Sequence, residues 1–363
     1  MIDVSPLTPR EQPGLVLAPR AAVTGLRFRG SDEPPLALAP EQRRVTIGAE
    51  GSDLVIPRSR STAVSAVHAL IARLGDDAVG ASLLVQDLGS ANGTFATRGA
   101  PRAASFHIHG GDTFWIADVA LQATDPYLDA LRSHLACHVG LTRTAAVDEA
   151  VAIVASDRPL LLLGARGTGA RRLAGVIHAT SIHRDRPLVL GALPLLGLLG
   201  HAHGATVFVD LDRVDALPAR VAAALFDPAR GLRLIFAAAD ETRARARLDH
   251  YRDQVTAIAL SPLAARPDDI VPILAFHWAT ELDAKHRVEA LGPAALDALV
   301  AHAWPNNLDE LFEQAPRLLA CLMHPTLRRA AEALGVTRQT LTQHLDRLGV
   351  AVVSAAERRW GDR

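Results

Sequence analysis

Leu160 to Leu173 reads LLLLGARGTGARRL: a run of leucines, glycines at Gly164, Gly167 and Gly169, then a helical pattern. A buried strand that passes through a glycine-rich turn into a helix is the layout of an anion-cradling loop, with backbone N–H groups converging at the helix N-terminus. The nucleotide form of that loop, G-x-x-x-x-G-K-[ST], continues with a lysine and a hydroxyl residue. Here those places hold Ala170 and Arg171. The ammonium that reaches the outer phosphates is absent, and so is the hydroxyl that would hold magnesium.

A chain of 363 residues is too long for one core of ordinary size, and 49% hydrophobic content supplies material for several. The formal charge of -1 excludes a uniformly basic nucleic-acid coat, so any such contact needs a local patch. Cys137 and Cys321 offer neither a disulfide framework nor a C-x-x-C metal pair, which suits a reducing compartment. The opening MIDVSPLTPREQPG has no basic start followed by an apolar core, which reads against a secretory signal. Leu188 to Leu199 is apolar but broken by Gly191, Pro194 and Gly197, and it is too short to span a bilayer. A soluble cytoplasmic protein with no membrane segment is the expectation.

Residues 1–22 carry prolines without periodicity and read as a flexible leader. Over 23–124 the pattern becomes short apolar or alternating runs, at Val45–Ile47, Leu54–Ile56, Ala69–Leu74, Ser82–Gln86, Thr113–Ile116 and Val119–Gln122. Glycine, aspartate and proline clusters close each run, which predicts an all-β sandwich with binding residues in its loops. Those loops hold Ile47-Gly48, Ser52-Asp53-Leu54, Ser65-Ala66-Val67-His68, the block Asp87 to Phe95 (DLGSANGTF) and Gly111-Asp112. The set resembles the forkhead-associated (FHA) domain, whose family binds phosphothreonine peptides. By that likeness Gly48 and Ser65 belong to the phosphate site, Asn92 fixes the peptide backbone, and His68 ties loops together. The family's arginine after the first glycine is Ala49 here. A phosphate then lacks its charge-assisted partner, and Arg58 and Arg60, just before Ser65, stand as substitutes.

From 125 the period changes to that of helices. Residues 125–142 read as a linker helix, with Tyr127, Leu128, Leu131 and Leu135 on one face. Over 143–260, helix (Ala145–Ala155), strand (Pro159–Leu163), glycine turn and helix (Arg171–His178) precede the apolar strands Val207–Asp210 and Leu232–Ala238. Such alternation predicts a parallel sheet covered by helices. The glycine loop, Gly204 to Asp210 (GATVFVD), Pro262 to Ile270 (PLAARPDDI) and Trp304 to Leu311 (WPNNLDEL) resemble, in order, four blocks of the AAA+ domain of sigma-fifty-four-dependent transcription activators. That likeness makes Gly164, Gly167, Gly169, Ala170, Arg171 and Asp210 the parts of a degenerate nucleotide loop, and 261–323 a helical lid.

The same likeness shows what has been replaced. Leu211 stands where the family has a water-activating glutamate, Ala239-Asp240 where an asparagine senses phosphate, and Asp309 where the lid has an arginine. A carboxylate at that last place adds repulsion to the lost attraction. The family's sigma-gripping GAFTGA loop is missing, since Leu198 to Ala205 runs straight into Thr206. No catalytic residue and no obligate cofactor are expected. Weak ATP and magnesium binding through Arg171 or Arg172 stays open. His201 and His203 form an H-x-H pair without a third ligand, so no metal is expected. The arginines between Thr242 and Arg252 read as a solvated helix face or a relict finger.

At the C-terminus, 324–352 holds two short helical patterns around Gly335-Val336-Thr337, with Thr337 as an N-cap candidate, followed by a basic tail at 353–363. AAEALGVTRQTLTQHLDRLGV resembles the Fis-type helix-turn-helix, which implies that Thr337, Arg338, Gln339, Thr340, Gln343 and His344 meet DNA. A helical hairpin that merely completes the lid is the other reading. The expected whole is a phospho-signalling regulator without ATPase activity. Its FHA module would recognise a phosphorylated protein or a Ser/Thr kinase, and its terminal helices would bind DNA as a possible homodimer. The alternatives are an FHA adaptor that binds no DNA and a weak ATP-binding activator.

Overall fold

The computed structural model of the protein describes residues 18, 20–74, 82–191, 203–214 and 217–350. The expected basic tail, most of the leader, His201 and the Leu198–Ala202 approach lie outside them.

The N-terminal part is a sandwich of two five-stranded sheets. Its strands are β1 (Gly25–Phe28), β2 (Leu36–Ala37), β3 (Arg44–Gly48), β4 (Leu54–Val55), β5 (Ala69–Leu74), β6 (Ser82–Asp87), β7 (Thr94–Phe95), β8 (Ser105–Ile108), β9 (Thr113–Ile116) and β10 (Val119–Thr124). One sheet runs β2-β1-β10-β9-β7 and the other β4-β3-β5-β6-β8, with only β3 and β4 parallel. Val45, Ile47, Ile71, Val85, Phe114, Ile116 and Leu121 point between them as the core, while neighbours along each strand face outward. The alternation in the sequence marks β3 to β6, β9 and β10. It misses β1, β2, β7 and β8.

Asp125 caps the next helix, α1 (Pro126–Val139), by accepting from the Tyr127 and Leu128 N–H groups. The expected linker is part of the next core instead. Leu128, Leu131, Leu135 and Val139 of α1 pack with Val147, Val151 and Val154 of α2 (Thr144–Ala155) and with Leu173 and Ile177 of α3 (Ala170–Thr180) against β11 (Leu160–Leu163). Further strands are β12 (Leu188–Gly191), β13 (Thr206–Asp210), β14 (Arg233–Ala238) and β15 (Thr256–Ala259). They form an all-parallel sheet in the order β12-β13-β14-β11-β15. Its second face is covered by α4 (Ala219–Leu225) and α5 (Glu241–Leu248) through Val221, Leu225, Ala244 and Leu248. Burial on both faces explains why these strands read as unbroken apolar runs.

The remaining helices are α6 (Ile270–Glu281), α7 (Pro293–Ala301), α8 (Asn307–Met323), α9 (Leu327–Ala333) and α10 (Arg338–Arg347). Pro316 lies inside α8 without ending it. Trp278, Leu299, Leu311 and Leu318 share one core with Ala330, Leu341, Leu345 and Leu348, so the terminal helix pair is packed onto the lid.

The sandwich meets the α/β unit at Asp148 of α2, whose carboxylate is fully buried. It accepts from the Gly30 N–H at 2.7 Å and pairs with Arg132 of α1 at 2.9 Å. Thr144 Oγ1 donates to Gly30 O at 3.0 Å, Gln122 to Asp148 O at 2.9 Å, and Arg29 pairs with Glu149. The surfaces are also close-fitting, since a Cβ on Gly111 would lie 2.2 Å from Ala155 Cβ. A buried charge that loses its partner is costly. Asp148→Ala is therefore expected to destabilise the protein by about 3 kcal/mol and to split one denaturation transition into separate sandwich and α/β transitions. Matched fluorescence and circular dichroism melts in urea check both.

Candidate functional site

At the apex of the sandwich, β3 ends at Gly48 because nothing larger fits: a Cβ there would lie 2.1 Å from Ala66 O. This close approach lets Ala49 N–H donate to Ser65 O at 2.9 Å and Glu50 N–H to Ala66 O at 3.1 Å. His68, fully buried, joins two loops. Its Nδ1 accepts from Ser65 N–H at 3.2 Å, so the proton sits on Nε2, which donates to Gly93 O at 2.9 Å. Burial lowers its pKa and keeps the ring neutral. Ser65 Oγ accepts from Ala91 N–H at 3.1 Å, and Asn92 Nδ2 donates to Ala63 O at 2.7 Å. Gly48, Ser65 and Asn92 are thus brought together by the loop at 63–68.

The two candidate arginines are engaged elsewhere. Arg58 pairs with Glu50 at 3.4 Å. Arg60, expected to face a phosphate, instead pairs with Glu33 at 2.6 Å, donates to Ser31 Oγ at 2.9 Å and lies 4.1 Å over the Phe28 ring. Sequence reading also passed over a surface feature: Val55, Val67 and Leu88 are 45%, 42% and 45% exposed beside these loops. Val55 ends the two-residue β4 and Val67 and Leu88 lie in loops, where no period distinguishes an exposed apolar residue from a buried one.

The motif alone does not reveal the role of Asp87. Its side chain is 2% exposed. It accepts from Gly89 N, Ser90 N, Ser90 Oγ, Thr94 Oγ1 and Arg102 at 2.6–2.9 Å. Burial pushes this carboxyl up, but the bonds from Ser90, Arg102 and Thr94 outweigh it and hold the group well below the ordinary range.

The glycine loop of the α/β unit is shaped by its neighbours. Cβ atoms at Gly164, Gly167 and Gly169 would lie 2.6 Å from Thr168 Oγ1, 2.1 Å from Asn306 O and 2.5 Å from His138 Cε1. Gly167 and Gly169 also have φ of 80° and 82°, which glycine adopts freely. His138 Nδ1 donates to Thr168 O at 2.8 Å, and burial drives its pKa down to about 4, so it holds the loop as a neutral ring. The lid segment completes the clamp. Asn307 Nδ2 donates to Arg166 O at 2.8 Å, and Asp309 N–H donates to Gly167 O at 2.9 Å.

A cavity of about 600 Å³ adjoins this loop, lined by Gly164 to Arg171 together with Asp210, Asp212, Arg213 and Asp309. Ala170 opens α3 there as its first residue. Arg171 is exposed at the mouth. Arg172 turns to the lid, 4.7 Å over the Phe312 ring and 3.4 Å from Glu281. Asp210 pairs with Arg213 at 3.1 Å, and Asp212 with Arg247 at 3.5 Å. Burial raises the pKa of Asp309, with Arg172 opposing. In the arginine-rich helix, Arg245 pairs with Glu241 at 2.8 Å, and Arg247 donates to Leu211 O.

In the terminal pair, Thr337 Oγ1 accepts from Thr340 N–H at 3.1 Å and caps α10. Arg338, Gln339 and Gln343 are exposed, and Thr340 is half-buried. His344 is half-buried like Thr340, and burial, with the charges of Arg317 and Arg347, lowers its pKa. Among the described residues no group of His, Cys, Asp or Glu is placed to hold a metal, and no helix is long and apolar enough to cross a membrane.

Residues 45–118 match the family model described as the FHA domain, so the sandwich is an FHA domain. The chain is 28% identical over 222 residues to the transcriptional regulatory protein ZraR of Salmonella typhimurium, covering 48% of this chain and 50% of that one. It is 27% identical over 287 residues to the C4-dicarboxylate transport transcriptional regulatory protein DctD of Pseudomonas aeruginosa, covering 54% and 61%. The crystal structure of NtrX from Brucella abortus in complex with ATP is similar at a TM-score of 0.37 and 19% identity, over 62% of this chain and 68% of that one. The two curated relatives bear out a likeness of about half of this chain to transcriptional regulatory proteins. The chain spans about half the length of the curated relatives it matches.

The bonds to Asp87 stabilise the FHA domain while the carboxylate is ionised. Because its folded pKa is depressed, that stabilisation is complete above the ordinary value of 3.8 and is lost as pH falls below it. Asp87→Asn is expected to cost about 2 kcal/mol at pH 7 and to flatten the decline in melting temperature between pH 4 and pH 2. Thermal melts across that range read both effects.

Proposed function

We propose that the protein is a phospho-signalling transcriptional regulator whose α/β core is a scaffold and not an ATPase. On this reading the FHA module at 23–124 recognises a phosphorylated partner through Gly48, Ser65, Asn92 and a supplementary arginine. The unit at 143–260 with its lid at 261–323 transmits that event without hydrolysis, and the helix pair within 324–352 contacts DNA, with a homodimer as the working form. The observation that carries the reading is the joining, in one chain, of an FHA domain to a region similar to transcriptional regulators whose glycine loop continues into Ala170 and Arg171. Ala170 in the lysine's place, Leu211 after the acidic strand and Asp309 in the cavity lining support a loop without the groups that phosphoryl transfer uses. The helix N-terminus and Arg171 still suit a weakly held anion.

For DNA, support comes from the capped α10 with Arg338, Gln339 and Gln343 exposed at and beyond its N-terminus. A specific observation favours the adaptor reading as well. The pair shares its core with the lid, as a hairpin completing that lid would. A gel-shift titration at several salt concentrations separates them. The regulator reading expects sequence-dependent binding that weakens with salt and falls about tenfold in Arg338→Ala, as loss of one base-reading side chain does. Absence of binding even at low salt would leave the adaptor.

A further inference from the structure

Arg60 begins the loop that leads to Ser65, yet its guanidinium is bound to another part of the domain, the segment after β1. It donates to Ser31 Oγ at 2.9 Å, lies 2.6 Å from Glu33 Oε1, and stacks 4.1 Å over Phe28. The same segment is held from its far side by the α/β unit. Arg132 bonds Ser31 O at 3.5 Å and pairs with Asp32 at 3.6 Å. Gly30 N–H reaches Asp148 at 2.7 Å, and Gly30 O accepts from Thr144 at 3.0 Å. Residues 29–33 are therefore a strap, fastened to the FHA apex by Arg60 and to α1 and α2 by Asp148 and Arg132.

Of the two described arginines in the loop before Ser65, Arg58 pairs within the apex, with Glu50, and Arg60 pairs outside it, with Ser31 and Glu33. Ala49 follows Gly48, and Arg102 is committed to Asp87 at 2.6 Å. A phosphothreonine carries close to two negative charges and several acceptor oxygens, against the single charge of Glu33. Glu33 is 59% exposed, so its pairing with Arg60 is screened and weakly held. A guanidinium that turns from Ser31 and Glu33 toward a phosphate beside Ser65 gives up those two contacts.

We propose that Arg60 is the phosphate ligand of this FHA apex, and that its transfer to phosphate unfastens the strap, so that phosphothreonine binding loosens the docking of the FHA domain on α1 and α2. The inference rests on the phosphopeptide reading of the apex and adds its regulation. Binding and docking are then linked reciprocally: any change that weakens the hold of Ser31 and Glu33 on Arg60 must strengthen phosphate binding by the same factor.

The experiment uses the full chain, a degenerate phosphothreonine peptide pool and its dephosphorylated twin, with affinity read by fluorescence anisotropy and strap mobility by hydrogen exchange. The wild type is expected to prefer the phosphorylated pool. Arg60→Met, which keeps an apolar contact with Phe28, should lose that preference about tenfold. Ser31→Ala combined with Glu33→Gln, which leaves the apex side chains intact, should bind about three- to fivefold more tightly. Saturating phosphorylated pool should speed exchange at 29–33 and 144–149. If Arg60→Met loses binding while the Ser31/Glu33 variant and the exchange pattern stay at wild-type values, the coupling is overturned and the phosphopeptide reading stands. Retention of full preference by Arg60→Met overturns the role of Arg60. No preference for phosphate in any form overturns the phosphopeptide reading, and the proposal with it.

Discussion

The backbone of the lid rests directly on the glycine loop. Asn306 O lies where a Cβ of Gly167 would need to be, and Asp309 N–H and Asn307 Nδ2 bond the carbonyls of Gly167 and Arg166. The approach has a conformational cost on the lid side. Trp304 and Asn307 adopt φ of 47° and 48°, a region that bulky residues seldom enter and asparagine tolerates. Burial of Trp304 at 1% exposure, its bond to Leu299 O, and the acceptance of Leu263 N–H by Asn307 over-determine that geometry. Lid, loop and α1 become one body, because Arg266 also bonds Cys137 O at 2.7 Å and pairs with Asp269 at 3.2 Å.

That unity gives the scaffold reading a mechanical sense. In a nucleotide-driven motor the ligand itself would bridge loop and lid, and its outer phosphate would need cations from both sides. Here the bridge is made of protein hydrogen bonds, and the lid presents Asp309 to the loop. The FHA domain is held to the same body through Asp148 and Arg132, and the terminal helix pair through the lid core. A change at the FHA apex has a continuous path of packed and bonded residues toward α10, with the 29–33 strap as its first link.

Much of this architecture is legible in the sequence where the pattern is long or the residue is sterically required. The leucine run and its glycines announce strand, turn and helix, because each glycine is demanded by a close neighbour. The DLGSANGTF block announces the FHA fold, because Asp87, Ser90 and Thr94 form a closed set of hydrogen bonds that few other residues would complete. The place of 125–142 in the core escapes because a helix's period tells which face is buried and not against what. The resting partners of Arg60 escape for a related reason: a long polar side chain chooses among partners that are distant in sequence, and Glu33 and Ser31 carry no marker of that choice.

The scaffold reading is tested most directly by ATP turnover. Phosphate release by the purified full chain, measured with magnesium over a range of protein concentrations wide enough to favour self-assembly, is predicted to stay at the level of the protein-free blank. Saturable turnover that rises in proportion to protein would contradict the account, since it would require groups at Ala170, Leu211 and Asp309 to perform chemistry that their side chains do not carry.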